Sequence, residues 1–371
     1  MKTKGIETTE MLQQPDDVNQ AIYEAEGLAK ISKEIKKSTV FVNKEQLRAL
    51  VDAFYQAQDD RINKQNRLRA FKQSFDTESE DVKNSSCTAM EWLYQDARNR
   101  EAQIKAMLEE YAKHNPVCSW MMATKGIGPL IATQLFAFID MNRCPKAANL
   151  ISYSGMNDNN IPWLGTELAN KLVKEAYESC GLKPSDQCNE QVVAYLMGKT
   201  KRSAKNIMDG MERSKSSSKN KISDYNALKS YLAKPPYSLR FKQLCFKIQE
   251  SFKKVYKRDS MYGRLYSERK AYELEKNERG DYADQAARLL SEKNYSKGTD
   301  TYKCLIQGKL SDAHIDRRAL RWTCKIYLNH VFEAMYTYTY KQTPPEVYAV
   351  EHLGHVDYIE PEVPYKYLKD L

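Results

Sequence analysis

A chain of 371 residues, 42% of them hydrophobic, can fill the core of two domains or of one domain with arms. Its 58 Lys and Arg against 49 Asp and Glu are unevenly spread: residues 1–115 hold 18 basic and 20 acidic residues, residues 116–371 hold 40 and 29. The C-terminal two-thirds is therefore expected to meet a polyanion, with nucleic acid as the leading candidate and a merely soluble basic surface as the alternative.

Only 14 glycines and 12 prolines interrupt the chain, too few for a sheet-rich fold with many turns, so helix is the expected default. The apolar runs fall short of the roughly 18–20 residues of a membrane span, and no apolar segment follows Met1-Lys2-Thr3-Lys4-Gly5. A cytoplasmic, nucleoid-associated protein without a membrane partner is expected. The eight cysteines form no C-x-x-C pair and read as reduced thiols. His352 and His355 lie close together, but no third ligand stands at a sensible spacing and Gly354 favours a turn; no metal site is expected.

In chain order, residues 1–42 form a polar arm with one short helix. From Asn43 to Phe75, apolar residues recur at Leu47, Leu50, Val51, Phe54, Tyr55, Leu68 and Phe71, the stripe of an amphipathic helix. After the polar connection 76–86, Met90, Leu93, Ala97, Ile104, Met107, Leu108 and Tyr111 mark a second. Residues 43–115 thus predict an antiparallel helical hairpin or coiled coil, and 43–114 is the expected homodimer surface.

At Pro116 the texture changes. A short apolar helix to Ala123 runs into Thr124-Lys125-Gly126-Ile127-Gly128-Pro129, and a second apolar helix follows from Leu130 to Ile139. Gly126 and Gly128 let the backbone approach a phosphate, Ile127 fills the gap between the helices, and Lys125 adds charge. The second helix presents its N-terminal N–H groups and Thr133. This helix-hairpin-helix pattern holds a phosphate without reading a base. A nucleotide-binding glycine loop needs a preceding strand and a third glycine, and both are missing. A tight turn that touches nothing is the remaining alternative.

Lys125-Gly126-Ile127-Gly128-Pro129, Asp140, and the run from Cys144 to Ser154-Gly155-Met156 resemble the C-terminal transposase domain of the insertion-sequence-110, -116 and -902 family. Ser238-Leu239-Arg240, the stretch Tyr262-Gly263-Arg264-Leu265-Tyr266, and residues 310–322 continue the resemblance, the last with relatives from phages and conjugative elements. In that family a RuvC-like nuclease domain and a coiled coil come first, and the C-terminal domain supplies a serine nucleophile. Residues 1–42 are too few for such a nuclease, and Asn157 to Gly165 holds no serine where relatives carry one. Ser152 and Ser154, just upstream, are the catalytic candidates.

Residues 166–235 interrupt the matched domain 116–340. Helices are predicted at 166–180 and from Gln191, then a flexible basic loop at 199–221 with eight Lys or Arg against two acidic residues. Between Arg240 and Lys270, ten basic and three acidic residues interleave with aromatics, which read as core rather than as stacking platforms. Arg240, Lys253, Lys254, Lys257 and Arg258 are the candidate phosphate contacts there, with Arg317, Arg318 and Arg321 on a last long helix, 311–340. An extended tail, 341–371, follows.

The fold expected is thus mainly α: a helical hairpin, then a helix-hairpin-helix transposase-type domain with a basic insertion. The expected function is DNA binding, to duplex or branched DNA, for a mobile element or phage, without a cofactor. A divergent transposase, acting alone or with a nuclease-bearing partner, is one alternative, and only it would call for magnesium. An RNA-binding or virion protein is the other.

Overall fold

The computed structural model describes residues 31–74, 80–157, 163–345 and 358–371; the side chains of residue 74 and of residues 80–87 fall outside that description. Among the described residues the protein is mainly helical, with fifteen α-helices and no strand. Most of the polar arm, residues 76–79 of the expected connection 76–86, and His352 and His355 fall outside the described residues, and residues 80–86 are already helical. The chain divides into two compact bodies, residues 1–123 with 127–138, and residues 124–126 with 139–371.

The first body is built on α2 (Lys44–Ser74) and α3 (Glu80–His114), preceded by the short α1 (Lys33–Ser38). Asn43 starts α2 through a reciprocal cap, in which its side chain accepts from Gln46 N and Gln46 Oε1 accepts from Asn43 N. Leu47, Val51 and Phe54 of α2, and Ala97, Leu108 and Tyr111 of α3, are buried, as the periodicity predicts. Asn115 then caps α4 (Pro116–Ala123) by accepting from Cys118 N. Both α4 and α5 (Pro129–Phe138) begin with proline in the first turn, where its missing N–H leaves no bond unmade. The α5 helix is held by α2: Arg48 Nε donates to Ala137 O at 2.6 Å, and Tyr55 to the buried Gln134 at 2.6 Å.

The second body is arranged around α15 (Asp312–Tyr340), whose Ile315, Leu320, Cys324, Leu328, Phe332 and Met335 are all buried. Against it pack α6 (Ala147–Ser154), α11 (Leu239–Lys254) and α12 (Met261–Glu278). Ser238, from the Ser-Leu-Arg motif, caps α11 by accepting from Phe241 N. Phe241, Phe252, Tyr262 and Tyr266 are buried, whereas Phe246 and Tyr256 are exposed, so the interleaved aromatics divide between core and surface. Two further helices that the sequence reading left unassigned, α13 (Ala283–Glu292) and α14 (Asp300–Ile306), close a small core of Tyr282, Ala286, Leu305, Leu310 and Ile315.

The insertion corrects one expectation. Residues 199–221 are not a flexible loop: they hold α9 (Ala204–Ser216), one of four helices with α7 (Gly165–Ser179), α8 (Glu190–Thr200) and α10 (Asp224–Ala233). Ser203 caps α9, and Ile207, Met211 and Ser214, spaced by three and four, face a core formed with Leu172, Val173, Leu196 and Leu228. Gly210 lies directly against the ring of Tyr231, a position with no room for a Cβ. The lysines and arginines that suggested disorder lie on the outer faces of these helices or, as Lys201, Lys219 and Lys221, in the connections between them, except Arg202, which is buried and stacks on Tyr231 at 4.8 Å.

The tail also departs from expectation, because it is anchored rather than merely laid on the surface. Ile359 O accepts from His330 Nε2, Tyr358 donates to Glu333 at 2.6 Å, and Leu368 is fully buried. Two buried polar groups of α15, His330 and Glu333, find their partners there. With a carbonyl on Nε2, the His330 ring is left to accept from Tyr262 at Nδ1, 2.6 Å away.

Candidate nucleic-acid interface

The turn between α11 and α12 forms a tight knuckle. Val255 N and Arg258 N close it onto Ser251 O and Val255 O, at 3.2 and 2.8 Å. Ser260 then caps α12, accepting from Gly263 N at 3.2 Å. A Cβ on Gly263 would stand 2.7 Å from Tyr256 Cα, so glycine lets the turn lie flat on the helix that follows. Lys254, Lys257 and Arg258 project from this knuckle, exposed, and none has a carboxylate partner among the described residues. Tyr256 is exposed beside them, with Lys257 Nζ 5.5 Å from its ring.

Lys125 and Gly126 dock on the same knuckle. Gly126 has φ +99°, a backbone conformation that L side chains rarely adopt, and a Cβ there would meet Ser251 Oγ and Val255 Cγ2 at 3.3 Å. Ser251 Oγ donates to the Gly126 carbonyl. Lys125 Nζ donates to Asp259 O at 2.6 Å and lies 3.4 Å from the fully exposed Asp259 carboxylate. Such a surface pair is worth little and exchanges readily for another anion. Five of the sequence-predicted residues, four of them cations, are therefore brought together on one small surface: Lys125, Gly126, Lys254, Lys257 and Arg258.

The other candidates stand elsewhere. Thr124 is buried, and so is Thr133, whose hydroxyl donates to Pro129 O and Leu130 O within α5; neither faces solvent. In the first body Ile127 is buried, while Gly128 has no positive φ, opens α5 through the bond from Ala132 N, and has open space where a Cβ would stand. Arg240 is exposed in the first turn of α11. Ser154 is fully buried; its hydroxyl donates to Ile151 O at 2.6 Å and accepts from Met156 N, so it serves the end of α6. Ser152 is half-buried and accepts from Asn157 Nδ2 at 3.3 Å.

Several predicted phosphate contacts are tied inward instead. Lys253 and Lys270 converge on the buried Asp316 at 2.7 and 2.8 Å, and Tyr266 donates to the same carboxylate. Burial pushes the Asp316 carboxyl up, but those three donors outweigh it and hold it well below the usual carboxylate range. Arg317 pairs with Glu250 at 2.8 Å and lies over the Phe246 ring. Arg318 pairs at 2.8 Å with Glu273, which is 1% exposed and also receives Arg269 and Tyr282. Burial again raises this carboxyl, and the donors from Tyr282, Arg318 and Arg269 more than offset it. The Arg321 Nε donates only to a backbone carbonyl, Arg317 O, at 3.4 Å.

The sequence reading missed Asp316, Glu273, Arg269 and Trp322. The pair Arg269 and Glu273, one helical turn apart, was the available signal. No metal-ligating cluster is found among the described residues, and none of their helices is long and apolar enough to cross a membrane. No family model, curated protein or solved structure matches the chain.

Proposed function

We propose that this is a DNA-binding protein of a mobile element or phage that grips the phosphate backbone through the knuckle at residues 254–258 and the Lys125-Gly126 turn docked on it. The supporting observation is the contrast in pairing: Lys254, Lys257 and Arg258 stand exposed on a tight turn without a carboxylate among the described residues, while neighbouring Lys253 and Arg317 are paired. Charges fixed in this way contact phosphates without reading bases, so affinity is set by salt and by DNA shape. The helix-hairpin-helix reading of residues 116–139 and the transposase-type resemblance belong to this proposal. So does dimerisation through α2 and α3, on which Ile62 and Trp92 are exposed.

The test is a binding titration against duplex, single-stranded and four-way-junction DNA and a structured RNA at two salt concentrations. The triple variant K254A/K257A/R258A should bind DNA at least about tenfold more weakly, with its salt slope reduced by up to about 3. An unchanged slope in a folded triple variant defeats the assignment, and tighter binding to RNA than to any DNA would move the substrate class. For dimerisation, sedimentation of the full chain and of a W92E variant should give two masses; a single common mass removes that part.

A further inference from the structure

A second basic feature lies apart from the knuckle. Arg269 and Glu273 of α12, with Arg318, Arg321, Trp322 and Lys325 of α15, line a cleft of about 170 Å³. Among the lining residues three arginines share one carboxylate, Glu273, which is buried. Glu273 Oε1 takes both Nε and Nη2 of Arg269, at 2.9 and 2.6 Å, leaving Nη1 without a partner among the described residues. Arg318 gives Nε to Glu273 and, more loosely, its two Nη groups to Gln285 and Tyr282, at 3.4 and 3.3 Å. Neither Nη group of Arg321 has a partner among the described residues.

Surface arginines that only decorate a helix splay into water and away from one another. These are packed in place. Arg269 lies between the rings of Tyr272 and Trp322, at 4.9 and 5.1 Å, and Arg318 lies 4.5 Å from the Tyr282 ring. The charge is felt beyond the cleft: burial, then Arg321, Arg318 and Lys293, holds the His314 imidazole below its ordinary value. A fixed cluster of like charges in a concavity is stabilised by an anion that completes it. The volume is below the roughly 300–1,000 Å³ of small-molecule pockets and suits an anionic group rather than a whole metabolite.

We infer that this cleft is a phosphate-group site, in which the remaining N–H donors of Arg269, Arg318 and Arg321 receive phosphate oxygens beside the Trp322 ring. The site itself stands without the DNA-binding reading; only the assignment of the phosphate to a nucleic-acid strand rests on it.

The experiment uses the full chain. Inorganic phosphate is titrated at constant ionic strength against chloride, following intrinsic tryptophan fluorescence and the thermal midpoint. The wild type should show a saturable phosphate response, with Arg321→Gln shifting its midpoint at least tenfold. The fluorescence part should vanish in Trp322→Phe, while the thermal response persists. If neither reading separates phosphate from chloride, or if Arg321→Gln responds as the wild type does, the inference is overturned, whatever the knuckle variant does to DNA.

DNA titration of Arg321→Gln then separates the sources. A loss of DNA affinity assigns the site to a strand, and unchanged affinity with phosphate binding lost assigns it to a free phosphate or phosphomonoester. Phosphate binding that survives in a chain with no DNA affinity refutes the DNA-binding reading and leaves the cleft standing.

Discussion

The knuckle between α11 and α12 and the inner face where α12 meets α15 are both rich in lysine and arginine, and they do opposite things with them. On the inner face, Asp316 is buried and gathers Lys253 and Lys270, so their charge is consumed in holding helices together. At the knuckle the one carboxylate among the described residues is Asp259, fully exposed and engaged with Lys125. Counting basic residues would rank the two surfaces alike. What separates them is where the carboxylates lie, and a buried carboxylate turns a potential phosphate contact into a structural tie.

The comparison is broken most severely at Asp316. Replacing it by alanine leaves the half-exposed Lys253 and Lys270 without their counter-charge and Tyr266 without its acceptor, and should cost about 1–3 kcal/mol in urea unfolding. DNA affinity of the remaining folded protein should be unaffected or raised, since Lys253 is released. A loss below about 1 kcal/mol would mean that the cluster is an ordinary surface pair. Its pH signature follows from the depressed carboxyl: the contribution is fully present above the ordinary value of 3.8 and is lost as pH falls below it.

A smaller effect separates the two glycines of the turn. Gly126→Ala should cost about 1–2 kcal/mol through its positive φ alone, with crowding against Ser251 and Val255 adding to it. Gly128→Ala meets open space at an ordinary φ and should cost under about 1 kcal/mol. If the hairpin lets DNA come close, Gly128→Ala lowers affinity in a protein of near-normal stability; unchanged affinity would confine the grip to the knuckle side.

A pH-dependent effect tests whether a buried carboxylate without a paired cation behaves differently again. Among the described residues no Lys or Arg pairs with Glu333, and burial pushes its carboxyl up to about 7 despite the Tyr358 hydroxyl. Its folded form therefore prefers the proton, and stability falls as pH rises from its ordinary 4.5 to about 7. Burial holds His330 down to about 4, so its contribution runs the other way, falling as pH drops from 6.5 towards 4. In Glu333→Gln the first effect disappears. The variant should match the wild type near pH 4 and exceed it by about 2 kcal/mol at pH 8, as read from urea midpoints. An equal gap at both ends would assign the change to packing rather than to ionisation.

The helices were legible because their apolar residues keep a strict spacing: Leu47, Val51 and Phe54 are buried as read, and the Pro116 and Pro129 starts fall where proline allows. The basic stretch 199–221 was misread because its apolar residues are few and its charges many; Ile207 and Met211 suffice once α7, α8 and α10 supply the other side of the core. Periodicity sees one face of one helix and not the partner it meets. The same limit applied to the cations. Spacing placed Lys253, Arg317 and Arg318 on basic helices, and the carboxylates that engage them lie 63, 67 and 45 residues away in the chain.

Trp163 stands at the base of the insertion, with its indole N–H donating to Ala233 O at 2.9 Å. That bond fastens the chain entering α7 to the chain leaving α10, and the core between them is drawn from residues 169–232 alone. The four helices thus form a closed excursion whose ends are already joined, so little loop-closure entropy remains to be lost when they assemble. Amide exchange in this segment should proceed as a separate cooperative unit, opening and reclosing while the helices around α15 stay protected.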